Sequence, residues 1–226
     1  MPPARPGPRR RPGRPARARG PAEAPPDEVR LRLLEAAQQR FAARGYDAVS
    51  VRELARAAHV SPAMIAYYFR DKAGLLDAVF DRVFERLLAQ LRGLAEAPAV
   101  ERGAPERLIR LYLETIGREP WLPSLIVREA LGGNAERRAR FTARFPARLA
   151  PVVLPFLQRE KAGGHLRGDL DPVLTLLSLI GMCVFPFLAH PLVGPVFGYE
   201  LDEGFRRRLA DHSVRLFLDG ARGEAS

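Results

Sequence analysis

The sequence predicts an all-α protein. Apolar residues recur every three or four positions through most of the chain, which is the spacing of one face of a helix. No stretch alternates apolar and polar residues for long enough to indicate a β-strand. Ser, Asp, Pro and Gly also stand where helices begin and end. Together these patterns predict about nine helices, arranged as a small N-terminal unit followed by a larger helical domain.

The first two helices have clear end signals. The first begins at Asp27, carries apolar residues at helical spacing, and ends at Gly45, a residue type typical just past a helix. Ser50 is the predicted N-cap of the second helix, and Glu53 follows three residues later, as in a capping box.

The third helix is short and the fourth is long. Ser61 is the predicted cap of the third helix, with Pro62 at its first position, and Phe69 closes it. Asp71 is the predicted cap of the fourth helix, which continues to about Glu96. Two short helices joined by a tight turn, with the second one cleanly started, have the size and shape that a DNA major groove accepts.

The rest of the chain is predicted to be helical beyond a Pro- and Gly-marked linker. The predicted helices cover residues 105–117, 120–131, 135–159, 171–189 and 202–219. Glycine pairs and the stretch 190–199, which holds two prolines and two glycines, are expected to separate them. The helix over 171–189 is apolar nearly all round, so it must be covered on most sides. A buried helix is the interpretation we favour, with a membrane-peripheral segment as the alternative.

Residues 1–26 are predicted to be a disordered basic arm. They hold nine of the 21 prolines and seven arginines against one glutamate, more than half of the net charge of +10. Such a tail cannot bury enough apolar surface to fold, and its charge suggests a polyanionic partner, either nucleic acid or an acidic membrane surface. Within it, Arg11 and Arg14 flank a Pro-Gly pair that resembles an AT-hook, which places arginine in the minor groove. A nonspecific basic arm is the alternative.

The composition gives no sign of an enzyme. Cys183 is the only cysteine, so no intrachain disulfide and no cysteine-based metal site can form. The four histidines are scattered without metal-ligand spacing, and there is no glycine-rich phosphate loop. We expect no catalytic residues, no metal and no cofactor. The N-terminus does not resemble a secretory signal and no uninterrupted apolar run reaches about 18 residues, so we expect a cytoplasmic protein without a membrane partner.

Residues 29–76 resemble the DNA-binding domain of the TetR/AcrR family of bacterial transcription regulators. The matching residues are Ala36, Phe41, Gly45-Tyr46, Ser50-Val51-Arg52, Leu54-Ala55, Val60-Ser61, Ile65, Tyr67-Tyr68-Phe69, Asp71-Lys72 and Leu75-Leu76. The resemblance implies an arm over residues 1–26, a three-helix helix-turn-helix DNA-binding domain over 27–72, and an effector-binding and dimerisation domain over 73–226. The family usually has Gly where this chain has His59, at a turn that needs a positive φ.

The resemblance implies a set of DNA contacts. Ser50, Arg52 and Lys72 would contact phosphates, and Tyr67 and Tyr68 would donate to phosphates while their rings brace the helix. The third helix would present its N-terminus, at Ser61 and Pro62, to the duplex. The apolar side chains of Ala63, Met64 and Ala66 would contact thymine methyl groups. Ile65 and Phe69 are assigned to the core.

The C-terminal domain is expected to bind a small, largely apolar effector. Prolines at 146, 151, 155 and 186 should kink helices and leave space between them. The candidate cavity residues are Tyr112, Trp121, Arg128, Phe141, Phe145, Met182 and Phe185. By resemblance, the helices near 171–189 and 202–219 form a four-helix bundle with a second subunit, with a monomeric core as the alternative.

The predicted function is that of a homodimeric transcription regulator, most often a repressor, released from a palindromic operator in double-stranded DNA by its effector. The alternative is a small-molecule-binding or scaffold protein that keeps the helix-turn-helix only as a fold element. The low polarity of the third helix favours that alternative, because it offers few bidentate base contacts. A membrane-surface protein held by the arginine-rich tail is a weaker rival, since the tail lacks large apolar residues.

Deleting residues 1–24 should weaken DNA binding and flatten its dependence on salt. Each arginine that neutralises a phosphate releases about one counterion, so losing several contacts makes the plot of log K against log salt shallower by roughly 0.9 per contact. Fluorescence anisotropy of a labelled duplex across a salt series measures both quantities. An identical slope for the truncated protein would show that the arm does not touch DNA.

Overall fold

A computed structural model describes residues 25–97 and 103–221 of the chain. The described residues form ten α-helices and contain no β-strand, which confirms the predicted all-α class. The helices are α1 (Pro26–Arg44), α2 (Val51–Ala57), α3 (Ala63–Phe69), α4 (Lys72–Glu96), α5 (Ala104–Arg118), α6 (Leu122–Ile126), α7 (Ala135–Arg144), α8 (Pro146–Ala162), α9 (Pro172–Phe197) and α10 (Glu203–Ala221). A π-helical turn, Val127–Leu131, continues α6 directly. The predicted minor-groove residues Arg11 and Arg14 lie outside the described residues.

The N-terminal unit is held by caps that the sequence predicts. Gly45 ends α1 with φ +80°, and the Ser50 hydroxyl oxygen accepts the Glu53 N–H at 3.1 Å at the start of α2. The Asp71 carboxylate accepts the Gly74 N–H at 2.7 Å and so starts α4. These local hydrogen bonds satisfy helix-end N–H groups that would otherwise lack partners. Three helix boundaries are therefore confirmed.

The predicted cap of the third helix is wrong by one residue. Pro62 occupies the N-cap position and α3 begins at Ala63. Pro62 already has helical angles, φ −55° and ψ −29°, and the backbone carbonyl of Ser61 accepts the Met64 N–H at 3.0 Å. Backbone bonds therefore close the first turn. The capping box at α2 is also only half formed, because the Glu53 carboxylate pairs with Arg44 at 2.6 Å.

Proline positions explain the other differences from the predicted helices. The segment 135–159 is two helices, because Pro146 starts α8 rather than kinking a longer helix. Conversely, α9 continues to Phe197, through the stretch 190–199 that was predicted to be a loop. Each internal proline removes one backbone hydrogen bond. The Tyr199 hydroxyl donates to the carbonyl of Pro186 at 3.1 Å, which ties the following loop back onto this proline-rich part of the helix.

Helix α4 is the spine that joins the two parts of the molecule. Its N-terminal half packs on α1 and α3, and it also packs on α5 and α8. Three arginines at four-residue spacing on α7 and α8 pair with three carboxylates at the same spacing on α4. The pairs are Arg140 with Asp77, Arg144 with Asp81 and Arg148 with Glu85. Four phenylalanine rings pack together beside this ladder, namely Phe80, Phe84, Phe141 and Phe145.

Helix α9 is apolar on a side that nothing in the single chain covers. Among the described helices it alone is long and apolar enough to cross a membrane by length and composition, and only 28% of its most apolar stretch is buried. The exposed stripe along it comprises Leu174, Leu177, Phe185, Leu192 and Val196. A single chain therefore does not supply the cover that is expected for this helix on most sides. A contiguous apolar surface of this kind marks an interaction site.

A buried carboxylate connects the two parts of the molecule. Glu129, in the π-helical turn, is 5% exposed, and its Oε1 accepts the backbone N–H of Tyr46 at 2.8 Å. Its Oε2 accepts from Arg137 at 2.8 Å, and Arg137 also donates to Asp47 at 2.8 Å. Two cations lie over the Tyr46 ring, with the Lys72 Nζ 4.0 Å and the Arg137 guanidinium carbon 5.0 Å from its centroid. We call these five residues the junction cluster.

Replacing Glu129 by Ala should lower the free energy of unfolding by about 2–4 kcal/mol. The change leaves a buried backbone N–H and the Arg137 guanidinium without their shared acceptor. Urea denaturation followed by circular dichroism measures the loss. Glu136→Ala, an exposed carboxylate on α7, is the matched control and should change stability by about 0.5 kcal/mol or less. Equal losses in both variants would contradict the bridging role of Glu129.

Candidate nucleic-acid interface

The turn between α2 and α3 fixes the direction of the third helix. His59 has φ +55°, as the sequence predicts for this turn, and the Val60 N–H donates to the Ala55 carbonyl at 2.9 Å. Ala58 and Ile65 are buried on either side of the turn. Helix α3 is therefore held at a fixed angle across α2, which is the arrangement of a helix-turn-helix.

Helix α3 has one buried face and one exposed face. Ile65 and Phe69 are buried, which confirms their assignment to the core. On the opposite face, Ala63 and Ala66 are exposed, and Tyr67 is 76% exposed. The exposed face thus has a single large side chain, which projects from an otherwise shallow and mostly apolar surface.

Two predicted contact residues of α3 are only half exposed. Met64 and Tyr68 pack against the hydrophobic core, and the Tyr68 ring meets that of Tyr67 edge-on at 4.8 Å. The Tyr68 ring therefore packs beside that of Tyr67, and the predicted phosphate contact of Tyr68 stays a prediction. Ser61 and Pro62, at the start of the helix, are exposed.

Helix α2 places positive charge beside α3. Arg52 is exposed at its first turn, as the predicted phosphate contact requires. Arg56 is exposed four residues later, on the same face, and sequence reasoning missed it although this spacing is the signal that identifies it. The Ser50 hydroxyl oxygen accepts a backbone N–H, which leaves its own hydrogen free to donate to a phosphate.

Lys72 points inward, unlike a simple surface charge. Its Nζ donates to the carbonyls of Tyr46 and Val49, each at 2.8 Å. Burial lowers the pKa of the Lys72 ammonium, with Asp47 opposing that shift. One of its three N–H donors remains for another acceptor. Lys72 therefore holds the α1–α2 loop against α4, and its predicted phosphate contact depends on that remaining donor.

The predicted effector residues do not line one common chamber. Phe185 is 63% exposed on the outer side of α9. The sequence could not predict this, because a helix that is apolar all round gives no sign of which face points inward. Arg128 is exposed and packs against the turn after α1, where a Cβ on Gly45 would lie 2.7 Å from its Cδ. These two residues are corrections to the predicted cavity. Trp121 is half-buried and donates to Glu119 at 2.7 Å.

The remaining predicted effector residues lie in the interior or at its edge. Phe141 and Phe145 belong to the aromatic cluster on α4, and the void beside Phe141 is about 20 Å³, room for a water rather than an effector. Met182 is half-buried. Tyr112 lies near Cys183 between α5 and α9, and burial, followed by the charge of Cys183, raises its pKa. Burial also raises the pKa of the Cys183 thiol to about 12.

Two residues at the ends of α3 have strained backbones. His59 precedes the helix with φ +55°, and Arg70 follows it with φ +69° and ψ −49°. Side chains with a Cβ rarely adopt such angles, and each costs about 1–3 kcal/mol. The second pair of angles lies near that of a γ-turn with positive φ, which is rare even among turns.

This geometry defines a helix-turn-helix protein with a short, projecting third helix and a separate helical domain. Residues 33–79 match the family model described as bacterial regulatory proteins, tetR family. The N-terminal part of the chain is therefore similar to the regulatory proteins of that family.

Curated relatives agree with the match. The probable HTH-type transcriptional regulator YttP of Bacillus subtilis is 26% identical over 113 residues, which are 44% of this chain and 54% of YttP. The match thus spans about half the length of YttP. The HTH-type transcriptional repressor Rv1474c of Mycobacterium tuberculosis is 28% identical over 155 residues, 67% of this chain and 77% of the relative.

Solved structures share the fold over most of the chain. The ketosteroid transcriptional regulator KstR2 of Mycobacterium tuberculosis superposes with a TM-score of 0.69 at 20% identity, covering 86% of this chain and 95% of KstR2. The regulator FadR of Bacillus subtilis, in complex with stearoyl-CoA, superposes with a TM-score of 0.67 at 18% identity, covering 84% and 98%. At these identities the likeness shows the fold.

Tyr67 and Lys72 should respond differently to substitution. Tyr67→Ala should weaken DNA binding about fivefold to tenfold and leave the melting temperature unchanged, because the side chain is exposed and one hydrogen bond is worth about 1 kcal/mol. Lys72→Met should also cost about 1–2 kcal/mol of folding stability, because two carbonyls lose a charged donor. Thermal melts and anisotropy titrations separate the two effects. A melt for Lys72→Met identical to wild type would contradict the internal role of Lys72.

Proposed function

We propose that the protein is a homodimeric transcriptional repressor that binds a near-palindromic DNA site and leaves it when a small apolar effector binds. The observation that carries the proposal is the exposed face of α3, where Ala63, Ala66 and Tyr67 project beside the arginines of α2. Small apolar side chains suit close approach to thymine methyl groups, and the arginines suit the flanking phosphates.

The exposed stripe of α9 supports a dimer. Leu174, Leu177 and Phe185 lie on one side of this helix, and Leu216 is exposed on the neighbouring α10. A second copy related by a two-fold axis would bury both stripes against each other, which is the usual arrangement of a homodimer. The two copies of α3 would then enter successive major grooves about one helical turn apart. This interface extends the predicted one, 171–189 with 202–219, to the end of α9.

An apolar effector is supported by the composition of the C-terminal domain. Helices α5 and α9 pack together and bring Tyr112 close to Cys183, and both groups are largely withdrawn from water. The FadR neighbour was solved with stearoyl-CoA and KstR2 is described as a ketosteroid regulator, so both names indicate apolar ligands. We propose a ligand of this character for the present chain, with the Tyr112 hydroxyl as one polar contact.

Release from DNA would use the connection between the domains. The effector need only prefer a conformer in which α4 and the π-helical turn hold the two copies of α3 at the wrong separation. The affinity for DNA then falls by the ratio of effector affinities for the two conformers. The junction cluster, with Glu129 at its centre, is positioned to report such a shift, because it spans both domains.

We further propose that the protein acts in the cytoplasm, where its DNA is, and that it has no catalytic activity. Among residues 25–97 and 103–221, no group of three or more His, Cys, Asp or Glu side chains is arranged to hold a metal ion. The second candidate function, small-molecule binding without DNA, is favoured by one observation. The exposed face of α3 carries no charged side chain between Ala63 and Phe69.

Selection from a pool of random duplexes tests the proposal. The full-length protein should enrich a two-fold symmetric site, and Leu177→Asp should make the protein monomeric and weaken binding to that site by at least a hundredfold. The substitution places a charge in the proposed interface twice, since each subunit contributes one. Size-exclusion chromatography with light scattering and anisotropy titrations measure the two effects.

Leu131→Asp is the matched control, because Leu131 is 66% exposed but lies off the α9 stripe. It should leave both the dimer and DNA binding intact. Enrichment of no sequence at all would end the repressor proposal and favour the small-molecule protein. Enrichment of a single, unpaired half-site by a monomeric wild type would contradict the dimer.

A further inference from the structure

Backbone strain in the described residues is concentrated at the two ends of α3. Within residues 25–97 and 103–221, His59 and Arg70 are the only non-glycine residues with positive φ. Both are exposed. Glycine would adopt either conformation without strain, so the fold alone gives no reason for a side chain at these positions.

Neither side chain has a use inside the described part of the chain. Their backbone N–H groups donate to Arg56 and Ala66, but no hydrogen bond or ion pair joins either side chain to another described residue. Two carboxylates that line the same cleft as Arg70 are already engaged. Asp71 accepts the Gly74 N–H, and Asp77 is paired with Arg140. Retained strain without an internal partner indicates that the side chain acts on something outside the chain.

His59 and Arg70 lie at opposite ends of α3, next to the face that is proposed to contact DNA. Arg70 directly follows the last residue of α3 and is exposed, three residues after the exposed Tyr67. His59 lies at the other end, four residues before Ala63 and three after Arg56 on α2. An open cleft beside Arg70 is also lined by Arg30, whose guanidinium lies 5.6 Å from the Phe69 ring centroid. Two cations without a carboxylate partner therefore border the C-terminal end of α3.

We infer that His59 and Arg70 bind DNA phosphates at the two ends of α3 and so fix the depth and register of the helix in the groove. This inference rests on the proposed function. A helix lying in the major groove has a sugar–phosphate strand at each end, so a donor at each end can clamp it. Such contacts act on every duplex, and they compensate for an α3 face that offers few hydrogen bonds to bases. Arg70 contributes a charged, bidentate donor and His59 a single N–H donor.

Glycine substitution separates this inference from a structural role. Arg70→Gly should weaken binding about tenfold, both to the selected site and to an unrelated 30-base-pair duplex, and should reduce the salt slope by about 1. Its melting temperature should stay the same or rise by up to about 4 °C, because the strain is relieved. His59→Gly should weaken binding about threefold, the loss expected when one hydrogen bond to a phosphate is removed.

Two further variants control the result. Arg70→Lys keeps the charge and should bind within about threefold of wild type, with the same salt slope. Arg118→Gln removes an arginine of α5 that pairs with Glu114 and should change neither quantity. If wild type selects a site but Arg70→Gly binds it equally with the same slope, the inference fails while the proposed function stands. If wild type selects no site, the proposed function itself fails. A melting temperature that falls in Arg70→Gly by more than about 4 °C would also overturn the inference, because it would reveal an internal role.

Discussion

The packing of the N-terminal unit against the helical domain depends on one buried carboxylate that accepts hydrogen bonds from two neighbours. Glu129 sits in a π-helical turn, accepts the Tyr46 N–H from the α1–α2 loop and balances Arg137 from α7. A buried carboxylate is tolerated only where donors satisfy it, so the loop, the turn and α7 must move together or not at all. π-helical turns are uncommon and occur frequently at functional sites, and this one lies where the DNA-binding unit meets the helical domain.

Contacts with neighbouring elements also explain how a helix as short as α3 can present an ordered, exposed face. A seven-residue helix has little stability of its own, so its position must come from its surroundings. Ile65 and Phe69 anchor its inner face, the His59 turn sets its entry, and the capped α4 follows two residues after its end. Lys72 fastens α4 to the preceding loop. The outer face is then free to carry small side chains, because no folding contact depends on them.

The sequence predicts what is decided locally and misses what depends on distant partners. The positions of Gly45, Ser50 and Asp71 identify three helix boundaries, because each acts within a few residues of itself. The bond between Glu129 and Tyr46 joins residues 83 apart and has no local signal. Helix α9 shows the same limit, because its uniform apolarity does not indicate which side faces inward. Phe185 was therefore assigned to a cavity, whereas it lies on the surface. Its prolines were predicted to end it, but packing and the Tyr199 hydroxyl bond continue the helix past them.

The burial of Cys183 has a practical consequence for following motions of this molecule. The chain has a single cysteine, its side chain is fully enclosed between α5 and α9, and its thiol stays protonated at neutral pH. Alkylating reagents attack the thiolate, so the native thiol is a poor target in the folded protein. A cysteine introduced on an exposed helix can therefore carry a spin label or fluorophore without first removing the natural one. Distances between the two copies of α3 in the proposed dimer then become measurable on a protein that is otherwise unaltered.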